Sequence, residues 1–345
     1  MRRSRSDASA PHPIPNSPAV GVRAPNVLAI GALLTLLCFG GAAGQAAGSA
    51  RECCRELLSP AGARALALGD AVGARPNFAA VLANPALVAR LRDDMIIVHT
   101  YENPAYESTA FSLLIQSDVI GVLGLTYNLM NVAEIPATDP QGNETGILKF
   151  TNHTLTATYA TDLSGGLSGG LSYQLFHVRQ DCRGFCNAVE SLTGTTHLVD
   201  AGLHYSPTFV RDLELGASVL HLGFPLQVKN AEQAAPTPSR FRLAAAHEVL
   251  QHVRADSVVK LWIATDALIP FADPGGTSLN VGAELSLAEL VFVWGGYSGG
   301  GVLPESAGIG VGLEYNRFSL AVARAFVNTT LGDADPFQLS FGIRF

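Results

Sequence analysis

The last nine residues, Phe337-Gln338-Leu339-Ser340-Phe341-Gly342-Ile343-Arg344-Phe345, decide how the rest of the chain is read. Every odd position is large and apolar; the even positions are Gln, Ser, Gly and Arg. Successive strand side chains point to opposite faces, so this segment has one apolar face and one polar or small face. The same period recurs upstream. Leu279, Val281, Ala283 and Leu285 alternate with Asn280, Gly282, Glu284 and Ser286. Ile309, Val311, Leu313 and Tyr315 alternate with Gly310, Gly312, Glu314 and Asn316, and Leu155, Ala157 and Tyr159 alternate with threonines. An antiparallel strand between two different solvents produces this pattern.

Working outward gives about fourteen such segments, mostly of eight to twelve residues: roughly 95–101, 107–115, 119–130, 148–160, 167–179, 196–206, 213–222, 239–248, 258–268, 279–286, 290–296, 308–315, 318–327 and 336–345. A tilted strand needs about 9–11 residues to cross a bilayer. From the second segment on, the connections alternate. Those at 116–118, 161–166, 207–212, 250–257, 287–289 and 316–317 are short. Those at 131–147, 180–195, 223–238, 269–278, 297–307 and 328–335 are long. Outer-membrane barrels have short turns at one end and longer loops at the other. A Greek-key sandwich has no reason to alternate in this way. Closure is required, because open strand edges in lipid leave backbone groups unsatisfied. The expected fold is therefore an all-β, antiparallel transmembrane barrel of about fourteen strands. Phe345, at the end of the last strand, is the expected assembly signal for the barrel-assembly machinery.

Composition agrees. Charged residues are 15% of the 345-residue chain and apolar ones 48%; soluble domains carry about 25% charged residues. Lys and Arg number 22 against 29 Asp and Glu, which argues against a nucleic-acid partner. Past residue 50 no apolar run reaches the length of a transmembrane helix. Residues 1–50 read as a signal peptide. Arg2, Arg3, Arg5 and Arg23 precede an apolar stretch at 27–39, and small residues follow. Removing its four arginines and one aspartate takes the formal charge from −7 to −10. Four cysteines then remain. Cys182 and Cys186 lie in a polar loop and are disulfide candidates in an exported chain; the spacing is a poor match to zinc ligands. Adjacent Cys53 and Cys54 receive no assignment.

Residues 51–94 do not alternate. They are rich in Ala and broken by Gly and Pro, and Asn84-Pro85 reads as a helix cap followed by Pro at the first position of a helix over 85–92. Such a segment either plugs the lumen or lies outside it, and its apolar composition favours the lumen. Gly62-Ala63-Arg64-Ala65, Leu68-Gly69 and Asn84-Pro85-Ala86-Leu87 resemble the N-terminal signature of the PorV/PorQ group of outer-membrane proteins. That group is similar to the FadL-type long-chain fatty acid transporters. The resemblance implies a hatch at 51–94, carrying Arg64, Gly69, Asn84, Pro85 and Ala86, inside a barrel at 95–345 in a Gram-negative outer membrane. It also implies two functions: uptake or binding of a small hydrophobic molecule, or a scaffold that holds secreted protein cargo. Convergence of Phe224, Pro225, Leu226, Val302 and Leu303 on one pocket would favour uptake; splaying would favour protein contacts.

By register, Asp200, His204, Glu284, Glu314 and Arg344 face the lumen. They are expected to pair with one another or with Arg64, Arg75, Arg90 and Arg92 on the hatch, since an unpaired buried charge costs several kcal/mol. No cofactor or metal is expected: His247 and His252 come nearest to ligand spacing, with one at a strand end and one in a turn. No enzyme is expected either. Ser298 sits in Gly-Tyr-Ser-Gly-Gly, read as a Gly-rich loop rather than a nucleophile elbow.

Overall fold

The computed structural model describes residues 52–77, 80–103, 105–186, 191–228, 234–254, 257–301, 303–327 and 335–345. The segment read as a signal peptide lies outside them. Among the described residues fifteen strands form one antiparallel sheet. They are β1 (Met95–Glu102), β2 (Tyr106–Ser117), β3 (Gly121–Val132), β4 (Ile135–Thr138), β5 (Glu144–Ser164), β6 (Leu167–Gly184), β7 (Leu192–Tyr205), β8 (Leu213–Gly223), β9 (Arg240–Arg254), β10 (Ser257–Pro270), β11 (Ser278–Leu287), β12 (Val291–Gly300), β13 (Ser306–Tyr315), β14 (Phe318–Val327) and β15 (Phe337–Arg344). β4 is a short spur on β5, and β3 pairs directly with β5 past it. β1 pairs with β15, Met95 opposite Arg344 and Glu102 opposite Phe337. Fourteen strands thus close on themselves, and each of the fourteen expected segments is one of them.

The alternation sorts side chains by solvent. Leu123, Leu125 and Tyr127 of β3, Ile309, Val311 and Leu313 of β13, and Phe337, Leu339 and Phe341 of β15 point outward and are exposed. Their neighbours point inward and are buried, among them Thr126, Thr154, Thr156, Gln174, Gln338 and Ser340. Apolar outside and polar inside is the inverse of a soluble barrel and the dress of one that stands in hydrocarbon. Tyr127 and Tyr173 stand in the outward rows, with their hydroxyls on His153 Nδ1 (2.8 Å) and His197 Nδ1 (2.5 Å). Such amphipathic rings mark a membrane–water boundary.

Several strands outrun their expected limits. β5 has 21 residues and β6 has 18, so the connection read as 180–195 shrinks to 185–191. Polar residues such as Gln180 and Asp181 gave no strand signal, yet their backbones stay in the ladder, opposite Phe150 and Lys149. β12 runs to Gly300, which places Ser298 in a strand with its Oγ on Asn280 Oδ1 (2.8 Å), not in a loop. β9 runs to Arg254 and takes in both His247 and His252.

Residues 52–77 and 80–94 lie in the lumen. Helix α1 is short (Ala63–Ala67), follows Gly62 at φ 90° and stops at Gly69 and Asp70, both left-handed. Its alanines pack on Ala321, Ala323 and Ala325 of β14, where larger side chains would not fit between hatch and wall. The expected helix at 85–92 is instead a 3₁₀ segment, Pro85–Arg90; Leu91 turns extended and leads to β1. Asn84 caps it, accepting the Ala86 N–H at 3.1 Å. Its Nδ2 donates to the carbonyls of Gly73 and Leu203, both at 3.0 Å, so one side chain ties together two parts of the hatch and the wall. The wall makes room with glycine. A Cβ at Gly202 would collide with Asn84 Oδ1 and lie 2.9 Å from Pro85 Cδ, and one at Gly296 would enter the Leu68 backbone.

Gly202→Val therefore expels the Asn84–Pro85 turn and leaves the strand ladder intact. We expect faster proteolysis within the hatch at unchanged heat-modifiable gel mobility, the signature of a closed barrel; unchanged proteolysis would refute the contact.

Candidate functional site

The hatch divides the lumen. Above it, at the long-loop end, is a vestibule of about 530 Å³. Its walls are largely apolar: Leu58, Pro60, Tyr101, Tyr106, Met130, Val132, Leu268, Leu303 and Val327. It continues into a smaller cavity of about 100 Å³ that rests on Ala65, Val72 and Ala83 of the hatch. Its wall is more polar than that of the vestibule: Thr126, Asn152, Gln174, Arg242 and Gln338 line it beside Leu57, Leu82, Phe176 and Leu220. Below the hatch, at the short-turn end, a recess of about 420 Å³ opens downward between Arg64, Arg75, Arg90, Arg92, Lys260 and Arg344, with Glu284 and Glu314 among them.

Buried ion pairs lock the hatch to the wall. Glu284 accepts from Arg64 Nε (2.6 Å), from Arg75 Nη1 and from Trp294 Nε1 (2.7 Å). The Arg75 guanidinium also stacks on Trp262, 4.3 Å from the ring centre, a favourable cation–π geometry. Burial pulls the Arg75 pKa down from its ordinary value and Glu284 pulls it back up. A second lock sits higher. Asp266 Oδ2 accepts the backbone N–H groups of Val72 (3.2 Å) and Gly73 (2.8 Å), and Arg242 bridges Asp266 (3.4 Å) to Asp70. Burial pushes the Asp70 carboxyl up, against the opposing pull of Arg242.

The expected lumen residues separate into groups. Glu284 meets Arg64 and Arg75 of the hatch. Glu314 and Arg344 pair with each other at 3.3 Å. Asp200 and His204 meet no hatch arginine. Asp200 accepts the His221 N–H (2.7 Å) and the Gln174 amide, at a bulge in the β7–β8 ladder where His221 takes φ 57°. His204 pairs with Glu214 at 2.7 Å. Arg90 donates to the Gly166 carbonyl (2.5 Å) and lies 3.3 Å from Asp162, and Arg92 lies 3.9 Å from the same aspartate. Gly69 and Arg64 belong to the α1 end of the hatch; Asn84, Pro85 and Ala86 lie at its other end. Phe345 donates its N–H to the Asp94 carbonyl (2.9 Å) and leaves its ring exposed.

Sequence reading missed Arg240, Arg242, Asp266, Asp70 and Glu56. The spacing of Arg240 and Arg242, two apart with Ala244 and Ala246, was a usable sign of one inward face. It also missed the lid. Cys53 and Cys54 are joined to each other, and with Leu57 they pack against Phe176, Leu198 and Leu226. This anchors a 3₁₀ turn, Arg55–Leu58, across the cavity. Cys182, near the end of β6, is joined to Cys186 in the loop that follows. Of the rim residues, Leu303 lines the vestibule, Leu226 seals the cysteine cluster and Phe224 is exposed with Pro225 beside it; Val302 lies outside the described residues.

This fold, a closed fourteen-stranded barrel with an N-terminal segment in its lumen, is similar to that of solved transporter structures. Two solved structures share it over most of their length. The toluene transporter TbuX of Ralstonia pickettii matches with a TM-score of 0.55 and 11% identity, covering 82% of this chain and 98% of that one. The Pseudomonas putida toluene transporter TodX matches at 0.54 and 13%, covering 82% and 96%. At such identities the likeness is one of fold. No protein-family model and no curated protein sequence matches the chain.

Two outcomes test the locks. Glu284→Gln strands Arg64 and Arg75, and breaking a buried pair in this way costs about 3–5 kcal/mol. We expect a lower melting temperature and a rise in steady conductance in planar bilayers; unchanged conductance would mean that the hatch is held elsewhere. The second concerns Glu56 in the lid, whose pKa burial raises. A carboxyl raised on folding opposes folding while ionised, and that penalty disappears as pH falls through the raised value. Glu56→Gln should therefore melt higher than wild type at about pH 8 and coincide with it at about pH 4. Parallel curves at both would contradict this.

Proposed function

We propose that the chain is an outer-membrane channel for small hydrophobic molecules. One observation carries this: an apolar vestibule opens at the long-loop end, directly above a hatch that blocks the way down. Apolar surface removed from water there is worth roughly 25 cal/mol per Å², enough to draw a small hydrocarbon out of solution. The hatch closes the straight path with backbone and buried ion pairs. A side exit is the alternative to lifting it. Leu163, Leu171, Leu203 and Val219 line an apolar recess on the outer wall, where Gly170 and Gly202 thin the barrel against Pro85. A molecule leaving there would enter lipid without crossing the polar lower mouth. The described toluene transporters of this fold support a ligand of this kind.

The second reading, a PorV-type scaffold for secreted cargo, is favoured by exposed Phe224 and Phe185 at the long-loop end. Native mass spectrometry of the purified barrel, with lipid extraction of the same sample, separates the two. Uptake predicts a small hydrophobic guest near one per chain, and Leu303→Asp should weaken its binding about tenfold, or about 1.4 kcal/mol. An empty barrel carrying a stoichiometric protein would overturn uptake and install the scaffold.

A further inference from the structure

The vestibule and the cavity beneath it differ in chemistry, and the difference restricts the ligand. Toluene-like molecules would use only the upper, apolar part. The lower part holds polar atoms that the fold leaves without partners. Asn152 donates its Nδ2 to Glu56 Oε1 (2.6 Å), and Gln338 donates its Nε2 to the Pro60 carbonyl (2.7 Å). Both amides are buried, and in each the nitrogen is committed to the lid or to the stretch just beyond it. The two oxygens, Asn152 Oδ1 and Gln338 Oε1, have no hydrogen-bond partner. Buried polar atoms of native proteins are nearly always satisfied, so each awaits a donor.

The charge of the cavity settles what kind of donor. Arg240 is matched by Glu52 at 2.6 and 2.7 Å. Arg242 is ion-paired with Asp70 and Asp266, while its Nε and Nη1 hydrogens have no hydrogen-bond acceptor. Glu56 is a further carboxylate at the cavity wall. Four carboxylates therefore stand around two guanidiniums. A ligand carboxylate brought here could reach Arg242 only against like charge at short range in a medium of low dielectric, and it would leave both amide oxygens without a donor. A hydroxyl has the donor that the amide oxygens lack and brings no charge.

We infer that the cavity holds the hydroxyl head of a small uncharged amphipathic molecule, an alcohol or a phenol, with its apolar body in the vestibule, and that it rejects the matching carboxylate. This rests on the uptake reading and narrows it. The single O–H donates to one of the two amide oxygens, Asn152 Oδ1 or Gln338 Oε1, its own oxygen can accept from Arg242, and Glu56 holds the Asn152 amide in its orientation. The vestibule alone would not distinguish toluene from p-cresol; the cavity does.

The test uses the full barrel in lipid nanodiscs and three probes of nearly one size: toluene, p-cresol and p-toluate. Affinities are measured in wild type, Asn152→Leu and Gln338→Leu, and the quantity read is the ratio of cresol to toluene affinity, in which partition into lipid cancels between proteins. One neutral hydrogen bond is worth about 0.5–1.5 kcal/mol, so the ratio should fall roughly threefold to tenfold in whichever of the two variants removes the acceptor of the single O–H. p-Toluate should bind wild type more weakly than p-cresol. A ratio unchanged in every variant that retains the heat-modifiable mobility of a closed barrel, or p-toluate bound as tightly as p-cresol, overturns the inference while toluene binding keeps the uptake reading. No binding of any probe overturns both.

Discussion

A backbone N–H or C=O left unpaired in hydrocarbon costs several kcal/mol, and most of this structure follows from avoiding that cost. The pairing of β1 with β15 removes the last free edges. Once the sheet is a cylinder, its two faces meet different solvents along their whole height. Alternation of apolar and polar residues is then compulsory in every strand. The lumen that results must be filled or blocked, and the first forty residues of the described chain do this.

Filling a polar cylinder with a largely apolar hatch needs two devices. Steric room comes from small residues on both sides: Ala63, Ala65 and Ala67 against alanines of β14, and the Asn84–Pro85 turn against Gly202. Attachment comes from few, buried, charged contacts: Glu284 with Arg64 and Arg75, and Asp266 with Arg242 and the Val72–Gly73 backbone. A buried ion pair contributes little over an apolar contact of equal volume, but it fixes one position, because every displaced arrangement strands a charge. The same economy shapes the space above. What the hatch, the lid and the wall leave empty is apolar at the rim and hydrogen-bonding at the floor.

The fourteen strands were legible because their signal is local: residues such as Phe337 to Phe345 state their period without reference to anything else. Strand ends were less legible, since Gln180 and Asp181 extend β6 through backbone pairing that polarity does not announce. Glu284 was legible as a lumen residue from its parity with Gly282 and Ser286. Arg242 and Asp266 obey the same rule and were passed over, because nothing within β9 or β10 says that one will bridge the other to Asp70. The register of Asp200 was equally plain, yet its partner His221 depends on a bulge that sequence spacing does not show.

The sequence by itself determined the class of fold, the inward or outward face of each strand residue, and the small-residue character of the segment that enters the lumen. Each of these depends on neighbours two to four positions away. The tertiary structure alone decided which charges meet, where the vestibule narrows into a polar cavity, and that Asn152 and Gln338 keep an oxygen free there. Arg64 and Glu284 are 220 residues apart, and Gln338 lies 278 residues from Pro60. Contacts across such distances are set by barrel closure and strand register, which are properties of the whole cylinder and of no segment within it.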